Sequence, residues 1–333
     1  ALAVTVTVAV LLLRPTPEPQ PEPKPPAPAP VPLPTPRQGV MASASTSELK
    51  IADTGITLHE NPADPVWTSS YHIRRGGYET YARDPATGAF GFFGNWEEPV
   101  VSPGGRFVVS LPVTRLRRTD HETVRLRDRA TGQDRELRTV DKPRTLFAPF
   151  WSSDGRRVLA TVFDSVSEAH PVGFAVVDAV AGTVKVTEAP GAKDTSYVWG
   201  SDDASVLQQG PGGDVRALAL DGRVLRSFPG VGPLAGGGAA RTPLGTVFAT
   251  KCPQNSRRIC FWEETTGARK GEARLPDGAA FHGWLDARHL LVTVPRGERS
   301  DIAMADATGK VVRTLADGPK SVIDDVTLWF TRK

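Results

Sequence analysis

The 333-residue sequence has few of the residues that usually indicate a chemical function. Its two cysteines are too few for a disulfide scaffold or a four-cysteine zinc site. Its six histidines stand singly, and the G-x-S-x-G, H-E-x-x-H, P-loop and G-x-G-x-x-G motifs are absent. The formal net charge is only +3, from 40 basic and 37 acidic residues, so charge balance does not indicate a nucleic-acid binder. The sequence therefore predicts no nucleic-acid partner, no cofactor and no metal.

Proline and glycine are abundant, at 30 and 32 residues, and the prolines mark the first domain boundary. Before them lies Ala1 to Leu13, ALAVTVTVAVLLL, which is uncharged and largely apolar. As a helix it would span about 20 Å, whereas a bilayer core needs about 30 Å. Since the chain begins at Ala rather than Met, we interpret residues 1–13 as the end of a truncated transmembrane helix or signal anchor. The core of a signal peptide is the alternative, which would make the protein secreted.

Residues 14–47 have the composition of a linker. From Arg14 to Arg37 nearly every second residue is proline, which predicts an extended polyproline II stalk of about 70 Å. Gln38 to Ser47 is small and polar and predicts a flexible joint. An apolar helix followed by a stiff stalk favours a single-pass membrane protein with its folded domain on the extracytoplasmic side. A recognition sequence for a polyproline-binding domain is the alternative interpretation of the stalk.

Residues 48–333 read as all-β and repetitive. Six turns begin with Asp or Glu and end with Gly, and their glycines lie 44, 50, 40, 45 and 42 residues apart: Gly88, Gly132, Gly182, Gly222, Gly267 and Gly309. These spacings are typical of four-stranded propeller blades. A second series of turns recurs in step, most clearly at Ser152-Ser153-Asp154-Gly155-Arg156 and Ser102-Pro103-Gly104-Gly105-Arg106. Both series count six, which predicts a six-bladed β-propeller.

The two ends of the repeat predict how the ring closes. The chain enters the first clear unit at a second-hairpin sequence, Thr80 to Phe93, and leaves at a first-hairpin sequence, Ser321 to Arg332. We expect each terminus to supply half of one composite blade, which protects the last sheet edge. Residues Leu49 to Gly77 fall outside this count. They could add strands to that blade or form a seventh one, so a seven-bladed ring is the alternative.

Trp151-Ser152-Ser153-Asp154-Gly155-Arg156 resembles the aromatic-S-P-D-G-K/R motif of TolB-like and WD-repeat-like β-propellers. The order of apolar segment, proline-rich stalk and propeller resembles membrane-anchored propellers of actinobacteria. The resemblance covers about residues 78 to 333 and implies the fold. It implies no activity, because such propellers include scaffolds, lyases and peptidase gates.

Cys252 and Cys260 flank seven residues between two β-like runs. A hairpin centred near Ser256 would place them opposite each other, within disulfide range. An exported chain favours the oxidised pair, and two buried thiols are the alternative.

One stretch is basic. Residues 115–144 carry ten basic and six acidic residues, and period-2 alternation places Arg125, Arg127 and Arg129 on one strand face. This face could bind an anionic polymer or lipid surface. The alternative is a blade edge kept charged against sheet-to-sheet pairing.

Two functions are compatible with these features. The favoured hypothesis is a non-catalytic scaffold that binds an envelope protein or a cell-wall glycan, because propeller loops form a broad recognition face. The alternative is an envelope hydrolase or lyase whose residues converge at the propeller axis, for which His282, Asp286, Asp154 and Asp202 are the candidates.

Overall fold

The structure is a computed structural model that describes residues 33–36, 39–74, 78–112, 118–167, 170–192, 196–235 and 246–333. These residues form 25 β-strands, one short helix, α1 (Lys320–Asp325), and a 3-10 turn at Pro211–Gly213. Within the described ranges no helix is long and apolar enough to cross a membrane. The predicted transmembrane segment, Ala1 to Leu13, lies outside these ranges, as does most of the predicted stalk.

The strands form six antiparallel sheets, so the predicted all-β six-bladed propeller is confirmed. The first three blades contain, in chain order, β3 (Val66–Ile73), β4 (Glu79–Arg83) and β5 (Phe90–Gly94); β6 (Trp96–Val101), β7 (Phe107–Pro112), β8 (His121–Asp128) and β9 (Gln133–Asp141); and β10 (Thr145–Trp151), β11 (Arg157–Phe163), β12 (Pro171–Asp178) and β13 (Thr183–Glu188). The next three contain β14 (Val198–Trp199), β15 (Ser205–Gln209), β16 (Val215–Ala219) and β17 (Val224–Phe228); β18 (Val247–Cys252), β19 (Asn255–Glu263) and β20 (Arg269–Arg274); and β21 (Ala280–Trp284), β22 (His289–Arg296), β23 (Arg299–Asp306) and β24 (Val311–Pro319).

Both ends of the repeat meet in blade 1, but they do not share it equally. The C-terminal strand β25 (Val326–Arg332) pairs antiparallel with β3, and the sheet order is β25-β3-β4-β5. The prediction that each end supplies half a blade was therefore wrong, because the ends supply one strand and three. The remaining N-terminal strands, β1 (Ser47–Ile51) and β2 (Ile56–Glu60), extend blade 6 through β24. The described part of the stretch that fell outside the count, residues 49–74, thus completes two blades, and the described chain does not form a seventh.

The predicted turns have the expected backbone and side-chain geometry. All six glycines of the second-hairpin series have positive φ, between 68° and 89°. Their aspartates cap the turns: Asp178 Oδ1, for example, accepts hydrogen bonds from the amides of Val180 and Ala181 at 3.0 and 2.9 Å. The two turn series also meet, since Arg156 Nε lies 3.0 Å from Asp178 Oδ2. This pairing explains why a basic residue follows the glycine in the first-hairpin motif.

Packing between neighbouring blades forms the core. Side chains of blade 2, such as Phe107 and Leu126, share one buried cluster with Val158 and Val177 of blade 3. Two tryptophans add equivalent hydrogen bonds across blade boundaries: Trp151 Nε1 donates to Val100 O at 3.0 Å and Trp199 Nε1 to Phe150 O at 2.8 Å.

Part of the segment assigned to the linker lies against the propeller. Met41 is 6% exposed, and its amide donates to Asp286 Oδ2 at 2.7 Å. The Ala42 amide donates to Asp64 Oδ1 at 2.9 Å. Pro34 contacts the turn at Gly104, where an added Cβ would lie 2.6 Å from Pro34 Cγ. Pro34 therefore lies at the first-hairpin turn of blade 2, and Met41 lies at that of blade 6.

Candidate functional site: the axial cavity

Residues of blades 1, 2, 3, 4 and 6 line a cavity of about 820 Å³, which we call the axial cavity. Strands β25, β6, β10 and β21 all contribute to its walls. The walls are mainly aromatic and aliphatic, and they include Phe150, Trp151, Trp284, Leu291, Trp329 and Phe330. A cavity of this size and composition suits the apolar part of a ligand, with a few polar groups to orient it.

Irregularities in the inner strands shape this cavity. Register shifts interrupt β6 between Glu97 and Val100, β10 between Phe147 and Phe150, and β21 between Phe281 and Gly283. At two of them a non-glycine residue has positive φ, 49° at Glu98 and 55° at Ala148. Such conformations are costly for L-residues and cluster at functional sites. A β-bulge bends its strand and changes the direction of the side chains beside it.

The four candidate catalytic residues are not brought together. Asp154 Oδ1 accepts from Ser152 Oγ and from the Arg156 amide, at 2.5 and 3.0 Å, within its own turn. Asp202 Oδ1 accepts the Ala204 amide at 2.8 Å in the same way. These contacts assign both carboxylates to turn capping.

Asp286 and His282 also have local partners. Asp286 is fully buried and accepts from Met41 and from the ring of His289. Burial acts to raise the pKa of Asp286, but its hydrogen bonds outweigh burial and the pKa lies below its ordinary value. His282 lines the axial cavity and contacts Thr293 Oγ1 at 2.7 Å, and burial lowers its pKa. The contacts of these four residues therefore give no support to an axial active site.

The titratable residue that the sequence interpretation missed is Glu98. Its Oε2 accepts the Ala148 amide at 2.8 Å and so joins the inner strands of blades 2 and 3. Burial raises the pKa of Glu98 to about 7, and the neighbouring Glu97 acts in the same direction. The only signal in the sequence was the shared spacing of Glu98-Pro99 and Ala148-Pro149 ahead of a first hairpin.

Glu98→Gln is expected to change the pH dependence of stability. Between pH 4.5 and about 7 the folded protein binds more protons at Glu98 than the unfolded chain does, so this group lowers wild-type stability as pH rises. The amide of the variant does not titrate, and it keeps an acceptor for Ala148. Relative to wild type, the variant should therefore gain up to about 3 kcal/mol between pH 4.5 and pH 8.

Urea unfolding at a series of pH values measures this difference. His72 changes stability with pH in the opposite direction. Burial and Arg74 lower its pKa to about 4, so the folded protein binds fewer protons at His72 than the unfolded chain does. The free energy of unfolding therefore falls as pH decreases from 6.5 to about 4. His72→Phe is the matched control. It should remove the loss of stability that His72 causes below pH 6.5, and it should leave the Glu98 contribution between pH 4.5 and about 7 unchanged. A stability difference between Glu98→Gln and wild type that stays constant with pH would contradict the assignment.

The three arginines of the predicted anionic-ligand strand have partners within the protein. Arg125 and Arg127 both lie 3.2 Å from Asp134 Oδ2, and Arg125 also stacks on Phe93, 4.7 Å from the ring centroid. Arg129 follows the end of β8, and its Nη1 donates to Gly105 O at 3.4 Å. Only Arg125 and Arg127 are brought together, and they share one carboxylate. These contacts favour the alternative interpretation of a charged blade surface.

Cys252 and Cys260 are joined by a disulfide, with 5.0 Å between their Cα atoms. The hairpin is tighter than expected: its turn lies at Pro253-Gln254, Cys252 pairs with Asn255, and Cys260 pairs with Thr250. The two cysteines are therefore brought together by a register shift rather than by direct opposition. Glu272 lies beside them, with a carboxylate oxygen within 4.8 Å of both sulfurs. The oxidised pair offers no thiolate for a metal ion.

Reducing this disulfide is expected to lower the free energy of unfolding by about 2.5 kcal/mol. The expected loss is modest because the disulfide closes a short loop and so removes little entropy from the unfolded chain. Urea unfolding with and without reductant measures the change, and Cys252→Ala/Cys260→Ala should show the same loss and no response to reductant. Equal midpoints for oxidised and reduced wild type would contradict the expectation. Non-reducing mass mapping of the protein from its native host tests whether the bridge forms there.

Comparisons with known proteins show the fold. No protein-family model matches the chain, and no curated protein sequence matches it. A chain in a crystal structure of the mitotic checkpoint complex is similar, with a TM-score of 0.50, 12% identity, and coverage of 89% of this chain and 97% of that one. TolB from Acinetobacter baumannii has a TM-score of 0.47 and 14% identity, and the match spans 79% of this chain and 65% of TolB. The similarity to the chain of the mitotic checkpoint complex thus shows the fold alone, and the fold is the β-propeller that the six sheets define.

Proposed function

We propose that the chain is a non-catalytic scaffold that binds an apolar segment of a protein partner in its axial cavity. The observation that carries this proposal is the cavity itself, which has about 820 Å³ of space and aromatic walls from several blades. Its polar groups suit orientation rather than catalysis: His282 contacts Thr293, and Asp324 is paired with Lys320 at 3.0 Å. Buried aromatic side chains in a concave site are the usual anchors for a protein segment.

We further propose that the propeller lies outside the cytoplasm, tethered by the N-terminal segment, and that the partner is an envelope protein. The bridge between Cys252 and Cys260 supports this location, because disulfides persist mainly in oxidising compartments. The apolar and proline-rich composition of residues 1–36 supports the tether. A reporter fused after Lys333 should be active only on the external side, and activity inside the cell would contradict the location.

Photo-crosslinking in the native host tests the binding site. A photoreactive amino acid at Thr327, which lines the cavity, should form an adduct with an envelope protein identifiable by mass spectrometry. Ala280→Trp should fill the cavity and suppress the adduct, because Ala280 lies in its wall. Ala86→Trp is the matched control, since Ala86 is exposed on an outer turn of blade 1.

Three outcomes decide the proposal. A Thr327 adduct lost in Ala280→Trp and kept in Ala86→Trp would support it. An adduct with glycan instead of protein would replace the protein partner by a cell-wall polymer. Capture of the same partner in both tryptophan variants, or no capture from Thr327, would exclude the axial cavity as the binding site.

A further inference from the structure

The outermost strand of each blade has one backbone edge that no strand of the described chain covers. These strands are β5, β9, β13, β17 and β20 in blades 1 to 5, and β1 in blade 6. Five of them carry charged side chains, such as Glu48 and Lys50 on β1. The exception is β5, which reads Phe-Gly-Phe-Phe-Gly. Because charges on an edge strand oppose pairing with another sheet, blade 1 lacks a protection that the other blades have.

The side chains of β5 are exposed as well as uncharged. Phe92 is 62% exposed, more than any other large apolar side chain of the described chain. Aromatic contacts hold it on one face of the blade: its ring centroid lies 5.6 Å from that of Tyr81, and Tyr81 stacks on Tyr71 at 4.7 Å. Phe90 lies on the same face, 5.0 Å from Tyr71. Two phenylalanines of one edge strand are therefore presented on the same side of the sheet.

The backbone of β5 offers hydrogen-bonding groups along this edge. Pairs of residues that exchange hydrogen bonds alternate, along an antiparallel ladder, with pairs that do not. Asp84 N donates to Ala89 O at 2.8 Å, and the pairing of β4 with β5 then runs without a shift through Phe90 and Phe92. The alternation points the N–H and C=O groups of Phe90 and Phe92 away from β4. Both residues can therefore pair with a further strand.

The available edge ends after Phe92. The pairing with β4 is irregular at Phe93, and Arg125 of blade 2 donates to the Phe93 carbonyl at 3.1 Å. The segment left for pairing is Phe90-Gly91-Phe92, which reads the same in both directions. An antiparallel copy of this segment matches each phenylalanine with a phenylalanine and the glycine with a glycine.

We propose that β5 is a self-association edge, at which a second copy of the chain pairs antiparallel through Phe90, Gly91 and Phe92. The two copies of blade 1 then form one eight-stranded sheet about a two-fold axis. Phe90 of each copy lies opposite Phe92 of the other, so that four rings meet on one face, and aromatic pairs across strands stabilise antiparallel sheets. The pairing brings no like charges together, since β5 has none.

This edge is distinct from the proposed binding site, because none of the β5 residues lines the axial cavity. The interface is short, and it belongs with the weak contacts that bury less than about 1,200 Å². We therefore expect a dissociation constant on the order of 10 μM.

Analytical ultracentrifugation of the full chain at increasing concentration measures the dimer. Phe92→Lys removes one aromatic partner and places a charge on the edge, so self-association should weaken at least about tenfold. Leu225→Lys is the matched control, since Leu225 is 49% exposed on β17, the outermost strand of blade 4. This variant should associate as wild type does.

A cysteine at Gly91 tests the register. An added Cβ there meets no atom within 4 Å, and the two native cysteines are already joined to each other. In the proposed dimer Gly91 faces Gly91 as a pair that exchanges no hydrogen bonds, with about 4.5 Å between Cα atoms, which is within disulfide range. Mild oxidation of Gly91→Cys should therefore give a covalent dimer on non-reducing electrophoresis, at least about tenfold faster than for Leu225→Cys.

Three results would overturn the proposal. A chain that stays monomeric at about 100 μM does not use this edge for self-association. Equal association of wild type, Phe92→Lys and Leu225→Lys would place the contact on another surface. Equal rates of covalent dimer formation from cysteines at positions 91 and 225 would show random collision instead of a defined register.

Discussion

Replacing Arg313 by Met is expected to lower the free energy of unfolding by about 3–5 kcal/mol, because it leaves the buried carboxylate of Asp64 without its counter-ion. Both side chains are 5% exposed, so water compensates poorly for the lost partner. Arg313 Nη1 also donates to the carbonyls of Ala42 and Ala44, at 3.0 and 3.1 Å. The variant should therefore loosen the attachment of Ala42 and Ala44 to the propeller and also leave a buried charge unpaired.

A double-mutant cycle with Asp64→Asn separates these effects. The double variant should lose at least about 1 kcal/mol less than the sum of the single variants, since it removes both charges. Arg156→Met is the matched surface control: Arg156 is 53% exposed in its pair with Asp178, and the expected loss is below about 1 kcal/mol. Urea unfolding measures all four variants, and additive losses at positions 64 and 313 would contradict the coupling.

The propeller could be predicted because its determinants are local. A turn such as Asp178 to Gly182 is specified by residues within five positions, where the carboxylate caps the backbone and glycine adopts positive φ. Recurrence of that chemistry every 40 to 50 residues was enough to count six blades. Gly155 shows the same logic in the first-hairpin series, since its turn requires a positive φ, which is 67° there.

The axial cavity and the buried pair of Asp64 and Arg313 could not be predicted, because their determinants are distant in sequence. Asp64 and Arg313 are separated by 249 positions, and Met41 and Asp286 by 245. Nothing in the local pattern distinguished Asp286, which binds Met41, from Asp202, which only caps its turn. The unequal division of blade 1 was missed for a related reason. The sequence of β3, Val66–Ile73, predicts a strand, but its partner β25 lies at the other end of the chain and meets it only when the ring closes.

The expected register of the disulfide hairpin was wrong because spacing alone does not reveal a bulge. Seven residues between two cysteines predict a symmetric hairpin centred at Ser256. The chain instead turns at Pro253-Gln254 and absorbs three residues in β19. Proline suits that tight turn, and it was the signal that the symmetric interpretation passed over.

Deleting residues 326–333 is expected to abolish cooperative folding of the propeller. β25 pairs with β3 over seven positions, from Val326 with Ile73 to Arg332 with Val66, and it forms one wall of the axial cavity. At about 1 kcal/mol for each lost hydrogen bond, with the burial of Val326 and Leu328 in addition, the loss approaches the 5–15 kcal/mol that stabilises a typical domain. The exposed edge of β3 would also pair with other chains, so we expect aggregation.

Circular dichroism measures the loss of cooperative folding, and size-exclusion chromatography measures the aggregation. A synthetic peptide of residues 320–333, added in trans, should restore a monomeric, cooperatively unfolding species, and a scrambled peptide should not. Because β25 is the only described strand that reaches blade 1 from the C-terminal end, a stable, monomeric deletion variant would show that three strands suffice to close the ring.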